Sequence, residues 1–132
     1  MATQSFFFCH TFCFTSQFIS IYVIHGPNIN FNQVEKISAA LQANTTLHEL
    51  NLSNNELKSE GAEELFAMLR SPNVRLKHLD LSQNELEPDC VNAVASAIRA
   101  NSYLESLSMR VNPIGHCLAP IIKALSTNGT LK

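Results

Sequence analysis

From Leu47 onward the apolar positions of the chain alternate between two rhythms. Leu47, Leu50, Leu52, Asn55 and Leu57 spell L-x-x-L-x-L-x-x-N-x-L, and Leu76, Leu79, Leu81, Asn84 and Leu86 repeat it 29 residues later. A third copy, Leu104, Leu107, Met109, Asn112 and Ile114, follows after 28, and Leu131 opens a further interval after 27. The alternation at the centre of each copy predicts a short strand with one buried face, and the asparagine suits a turn in which its side chain satisfies backbone groups. The second rhythm has 3, 4 and 7 spacing: Ala62, Leu65, Met68 and Leu69; Val91, Val94, Ala97 and Ile98; Leu118, Ile121, Ala124 and Leu125. Such spacing predicts amphipathic helices.

Smaller signals keep the same period. Asn44, Asn73, Asn101 and Asn128 stand just past the helices, where a left-handed, C-terminal capping role is expected. Gly61, Cys90 and Cys117 stand just before them, where small buried residues let the strand and helix layers approach. Sliding the template back one period places Ile19, Tyr22, Ile24 and Ile29 on the leucine positions and Val34, Ile37 and Leu41 on the helical ones. A degenerate first unit is therefore expected, with Pro27 in place of the turn asparagine and Asn28 beside it to help build the turn.

A strand motif, a full helix and a period near 28 together resemble the ribonuclease-inhibitor-like leucine-rich repeat family, from about Ile19 to Lys132 and most strongly over Leu47 to Leu125. The resemblance implies an α/β fold: a right-handed solenoid forming a short horseshoe arc, with a parallel sheet on the concave side and helices on the convex side. The expected organisation is a phenylalanine-rich leader or atypical N-terminal cap over 1–18, then a repeat domain over 19–132. That domain has about four units, the first degenerate, and is truncated at the start of a fifth.

If the fourth and sixth positions of each strand point inward, the third, fifth and seventh face the concave surface. Stacking makes three ladders: Ile21, Glu49, His78, Ser106; Val23, Asn51, Asp80, Ser108; His25, Ser53, Ser82, Arg110. Glu56 and Glu85, at the tenth position, extend the acidic middle along the turn edge. The expected protein-binding residues are thus Glu49, Asn51, Ser53, Glu56, His78, Asp80, Ser82, Glu85, Ser106, Ser108 and Arg110. Solenoids also display polar faces for solubility, and no aromatic anchor stands in these ladders. Tyr103, just before the third strand, borders the face.

Composition narrows the function classes. The 132 residues carry nine basic and eleven acidic side chains for a formal charge of −2, which offers no electrostatic footprint for nucleic acid and no attraction to an anionic membrane. Six of the eight phenylalanines lie in the first 18 residues, and the apolar stretch Phe6 to Ile24 raises a signal peptide or membrane span. It is interrupted by His10, Thr11, Thr15, Ser16, Gln17 and Ser20 and lacks a basic flank, which argues against both. Four unevenly placed cysteines suit a reducing compartment, and a cytoplasmic location is expected. The sequons at Asn44, Asn51 and Asn128 already have structural explanations.

No Ser/His/Asp spacing, phosphate-binding glycine loop or H-E-x-x-H motif occurs, and the pair Glu63 and Glu64 falls on a helix face expected to be solvated. Catalytic residues and cofactors are expected to be absent. Cys9, His10 and Cys13 are three potential zinc ligands without a fourth, so no metal is expected. The expected function is a noncatalytic protein–protein interaction module within a longer scaffold or receptor, its partner another protein and not nucleic acid or a membrane. Self-association through uncapped solenoid ends is a further expectation. Two alternatives stand beside it: a GTPase-activating or other enzyme-regulating fragment, for which no loop-edge motif matches residue by residue, and a truncated isoform without independent function.

Overall fold

The computed structural model of the chain describes residues 2–7, 19–25 and 29–132, the first two stretches through their backbone. Five strands, β1 (Ala2–Phe7), β2 (Ile19–His25), β3 (Glu49–Asn51), β4 (His78–Asp80) and β5 (Ser106–Ser108), form one parallel sheet in sequential order. Helices α1 (Phe31–Ala43), α2 (Lys58–Leu69), α3 (Val91–Ala100) and α4 (Ala119–Leu125) connect or follow them, and a short 3-10 turn, Pro88–Cys90, leads into α3. Parallel neighbours need a crossover connection, which α1, α2 and α3 provide from β2 to β5. This is the repeating strand–helix solenoid implied by the resemblance.

The register is the one the repeat predicts. Ile21, Glu49, His78 and Ser106 are successive partners across the sheet, as are Val23, Asn51, Asp80 and Ser108. Leu50, Leu52, Leu79 and Leu81 turn the other way and are buried with the inner stripes of α1, α2 and α3. Gly61 is buried, but inside α2 and not ahead of it, and a Cβ there would lie 3.4 Å from Val34 Cγ2 and 3.6 Å from Leu57, so the small residue sets how closely α2 approaches α1. Asn30 caps α1 in a reciprocal pair with Gln33, a local signal that the repeat template does not contain.

The turn asparagines do more than close their own turns. Asn84 Oδ1 accepts from the amides of Asn55 and Leu57, and Asn84 Nδ2 donates to the carbonyls of Leu52 and Ser82. Asn112 repeats the pattern one unit on, accepting from Asn84 and Leu86 and donating to Leu81 and Met109. Each asparagine therefore ties its repeat to the preceding one.

Three expectations need correction. Asn44 and Asn101 do sit at helix C-caps, but with extended backbones (φ −100° and −88°). Their Oδ1 atoms instead accept amides of the following strand approach, from Thr46 and Leu47 and from Tyr103 and Leu104. Asn128 does the same for Thr130 and Leu131. Among the described residues the left-handed ones lie in the strand-to-helix turns, at Asn54, Glu56, Gln83, Glu85, Val111 and Gly115, and at Lys58, the first residue of α2. Cys117, unlike Cys90, is exposed, within the exposed stretch 115–119 that leads into α4. Leu118 and Leu125 are likewise exposed, while Ile121 and Ala124 hold α4 to the core. The proposed roles of Pro27, Asn28, Cys9, His10 and Cys13 fall outside the described residues.

On the flank formed by β5 and α4, Leu118, Ile122 and Leu125 are 41%, 64% and 42% exposed, and Leu107 and Met109 are only half-buried. The Lys132 amide bonds to the Glu105 carbonyl, the same rung that joins Glu105 to Lys77 and Lys77 to His48. Large apolar side chains exposed together on one flank favour association. In light scattering the chain is expected to gain mass with concentration, and the double variant Ile122→Lys, Leu125→Lys to scatter as a monomer. A native chain that stays monomeric across the series contradicts this expectation.

Candidate protein-interaction surface

The sheet face is built by the alternation within β3, β4 and β5. His78, Ser106 and Arg110 are exposed there, and Glu49, Asn51, Ser53, Asp80, Ser82 and Ser108 are half-buried. A shallow depression of about 250 Å³ lies among Glu49, Asn51, His78, Asp80, Ser106 and Ser108, floored by Leu50 and Leu79. The sequence-derived ladders thus converge on one surface, with His78 between Glu49 and Ser106 in register.

Part of this polar surface is already engaged. Asn51 Oδ1 accepts the Ser53 amide and Asp80 Oδ1 accepts the Ser82 amide, both at 2.9 Å. These bonds hold the chain where each strand turns toward its helix. Ser82 and Ser108 share a hydroxyl–hydroxyl contact of 2.8 Å, so the seventh-position ladder is stitched to the fifth. Among the described residues Glu49 and His78 make no such bond and are the more available groups. Glu56 and Glu85 are exposed on left-handed backbones (φ 51° and 57°), which turn the chain at the edge of the face. Arg110 lies toward the C-terminal end, its carbonyl accepting from Gln83 and Asn112.

The rim where helices return to strands has features the sequence reading only touched. Tyr103 is half-buried with the Arg75 guanidinium 5.1 Å from its ring centroid, a cation–π pair that fixes the ring. Glu105 lies between Lys77 (3.2 Å) and Lys132 (3.4 Å). The hydrogen bond and charge of Lys77, then those of Lys132, hold its carboxyl below the usual range. Charge at second positions of successive units was the available signal, since Lys77, Glu105 and Lys132 are one period apart.

Among the described residues no cluster of three or more His, Cys, Asp or Glu side chains is placed to hold a metal ion, and no helix is long and apolar enough to cross a membrane. Cys90 donates to the Glu87 carbonyl at 3.2 Å, and burial raises its thiol pKa, which keeps it protonated.

Comparison with known proteins agrees with this architecture. Two family models described as leucine-rich repeat match residues 43–66 and 75–95. Together with the repeating strand–helix fold, these matches show that the chain carries leucine-rich repeats. It is similar to NACHT, LRR and PYD domains-containing protein 5 of Homo sapiens, 36% identical over 92 residues, which is 70% of this chain and 8% of that protein. The protein of the same name from Mus musculus is 36% identical over 77 residues, 58% of this chain and 7% of that one. NACHT, LRR and PYD domains-containing protein 2 of Homo sapiens is 36% identical over 80 residues, 61% of this chain and 8% of that one. The chain thus spans less than a tenth of the length of these relatives. A solved structure, leiomodin-1 actin-binding site 2, shares the fold with a TM-score of 0.69 at 23% identity, covering 78% of this chain and 61% of that one.

Proposed function

We propose that the chain is a noncatalytic protein–protein interaction module that presents its concave sheet face to another protein. The observation that carries this reading is the register: it brings Glu49, His78, Asp80 and their ladder neighbours from three separate repeats onto one open surface. The relatives support it as proteins in which such repeats accompany other domains, and the neighbour in fold as an actin-binding site. Missing aromatic anchors on that face favour a surface that works within a longer repeat array. The free thiols of Cys90 and Cys117 suit a cytoplasmic setting.

Glu49, Asp80, Glu56 and Glu85 suit a basic or mixed-charge partner, and charge complementarity acts mainly on association rate. The partner is to be captured with the native chain and with the variant Glu49→Gln, Asp80→Asn, Glu56→Gln, Glu85→Gln, then followed by stopped flow. The variant is expected to associate about tenfold more slowly at low salt, with the difference shrinking as salt rises. Equal association rates at low salt reject the acidic face as the recognition surface.

A further inference from the structure

The outer face of α2 carries an unbalanced block of acid, and the start of α1 sets an exposed aromatic ring beside it, which the sheet face lacks. Glu60, Glu63, Glu64 and Ala67 follow the helical 3, 4, 7 spacing opposite the buried stripe of Ala62, Leu65, Met68 and Leu69. A groove of about 550 Å³ opens over them, bounded by Phe31 at the start of α1 and Ala93 on α3. Phe31 is 40% exposed. The groove is thus lined by one ring, two alanines and three carboxylates.

The acid here is only partly explained from within the chain. Glu60 lies in the first turn of α2, where a negative charge complements the helix dipole, but Glu63 and Glu64 lie beyond the reach of that effect. Glu60 and Glu64 are one turn apart and repel each other. Both ion pairs among the described residues are centred on Glu105, which does not line the groove. Lys36, Lys58 and Arg70, the cations nearest in sequence to its lining, do not line the groove. Solvation alone accounts for the carboxylates but leaves the exposed ring unexplained.

We propose that this convex groove docks a basic amphipathic helix of another protein, its apolar side on Phe31, Ala67 and Ala93 and its lysine or arginine heads on Glu60, Glu63 and Glu64. The carboxylates repeat along α2 at one helical turn, about 5.4 Å, which is also the spacing of i,i+4 cations on a helix lying along it. The alanines let a helix approach closely, and the single-signed lining selects the sign of its charge. The site is separate from the concave face and does not depend on that face being used.

The test titrates the full chain into a fluorescent synthetic peptide with leucines along one helical face and lysines at i,i+4 on the flank. Two control peptides are a scramble of the same composition and a version with glutamate in place of lysine. The amphipathic lysine peptide is expected to bind at least about tenfold tighter than either control, through combined apolar and charge contacts. The variant Glu60→Gln, Glu63→Gln, Glu64→Gln is expected to lose about tenfold in affinity and most of the salt dependence. Phe31→Ser is expected to weaken binding with the salt dependence retained, and Phe31→Leu to restore most of it. The concave variant Glu49→Gln, Asp80→Asn, Glu56→Gln, Glu85→Gln should bind the peptide as the native chain does. Circular dichroism and the thermal midpoint confirm folding of every variant. No binding by the native chain, equal binding of the scrambled peptide, or a loss confined to the concave variant overturns the proposal; the last outcome would assign the peptide to the sheet face.

Discussion

Leu52→Ala and Leu81→Ala are each expected to destabilise the chain by about 2–5 kcal/mol, the range for removing a buried leucine from a packed core. Both side chains are fully buried, at 0% exposure, between the sheet and the helices on either side. A single domain has about 5–15 kcal/mol of stability in all, so either substitution removes a large fraction of it. Leu107→Ala provides the internal comparison. Leu107 holds the fourth position of its repeat but is half-buried, so its loss should cost clearly less. Urea denaturation followed by circular dichroism checks the order. Midpoints for Leu52→Ala or Leu81→Ala that equal the native value contradict the register on which both faces depend.

What the sequence disclosed follows from where side chains repeat. Leucines at the first, fourth and sixth positions recur because each faces the same layer in every unit, and that recurrence was enough to align Glu49 with His78 and Ser106. The contacts that join one unit to the next were less legible. An asparagine at the ninth position announces a turn, but its bonds to amides of the preceding repeat depend on a neighbour 27 to 29 residues away. The left-handed residues were also hidden, because most are borne by Asn, Gln, Glu, Lys or Val, with Gly115 the one glycine among them. Asn44 and Asn101 misled for a related reason. Asparagine suits both a left-handed cap and a side-chain-bonded strand approach, and only the backbone path decides between them.

The two surfaces differ in the same way. The sheet ladders were readable because their period is the strand alternation itself. The α2 groove was not, because Phe31 enters it from a different repeat and a different position in that repeat. Glu63 and Glu64, taken along the chain, read as an ordinary solvated helix face. Packing α1 against α2 supplies the ring, and α3 closes the other side with Ala93. The concave face offers divided polar groups that partly serve their own turns, whereas the convex groove offers unengaged charge next to apolar side chains.

Asn84→Ala is expected to cost about as much as losing a core leucine, although it removes no large apolar side chain. The residue is fully buried, and its amide group serves four backbone groups: the Asn55 and Leu57 N–H groups and the Leu52 and Ser82 carbonyls. Each buried group left without a partner costs about 1–3 kcal/mol, so a loss of about 3–5 kcal/mol is expected once water reaches some of them. Asn112→Ala removes an equivalent set of bonds at a half-buried site, where water substitutes more readily, and should cost less. Hydrogen exchange adds a local reading. In Asn84→Ala the amides of Asn55 and Leu57 should exchange faster, while those of Asn84 and Leu86, held by Asn112, change only as far as global stability falls. If the Asn84 substitution proves milder than the Asn112 one, or if the Leu57 amide keeps its native protection, the asparagines do not couple neighbouring repeats. The cooperative unit would then rest on the leucine layers alone.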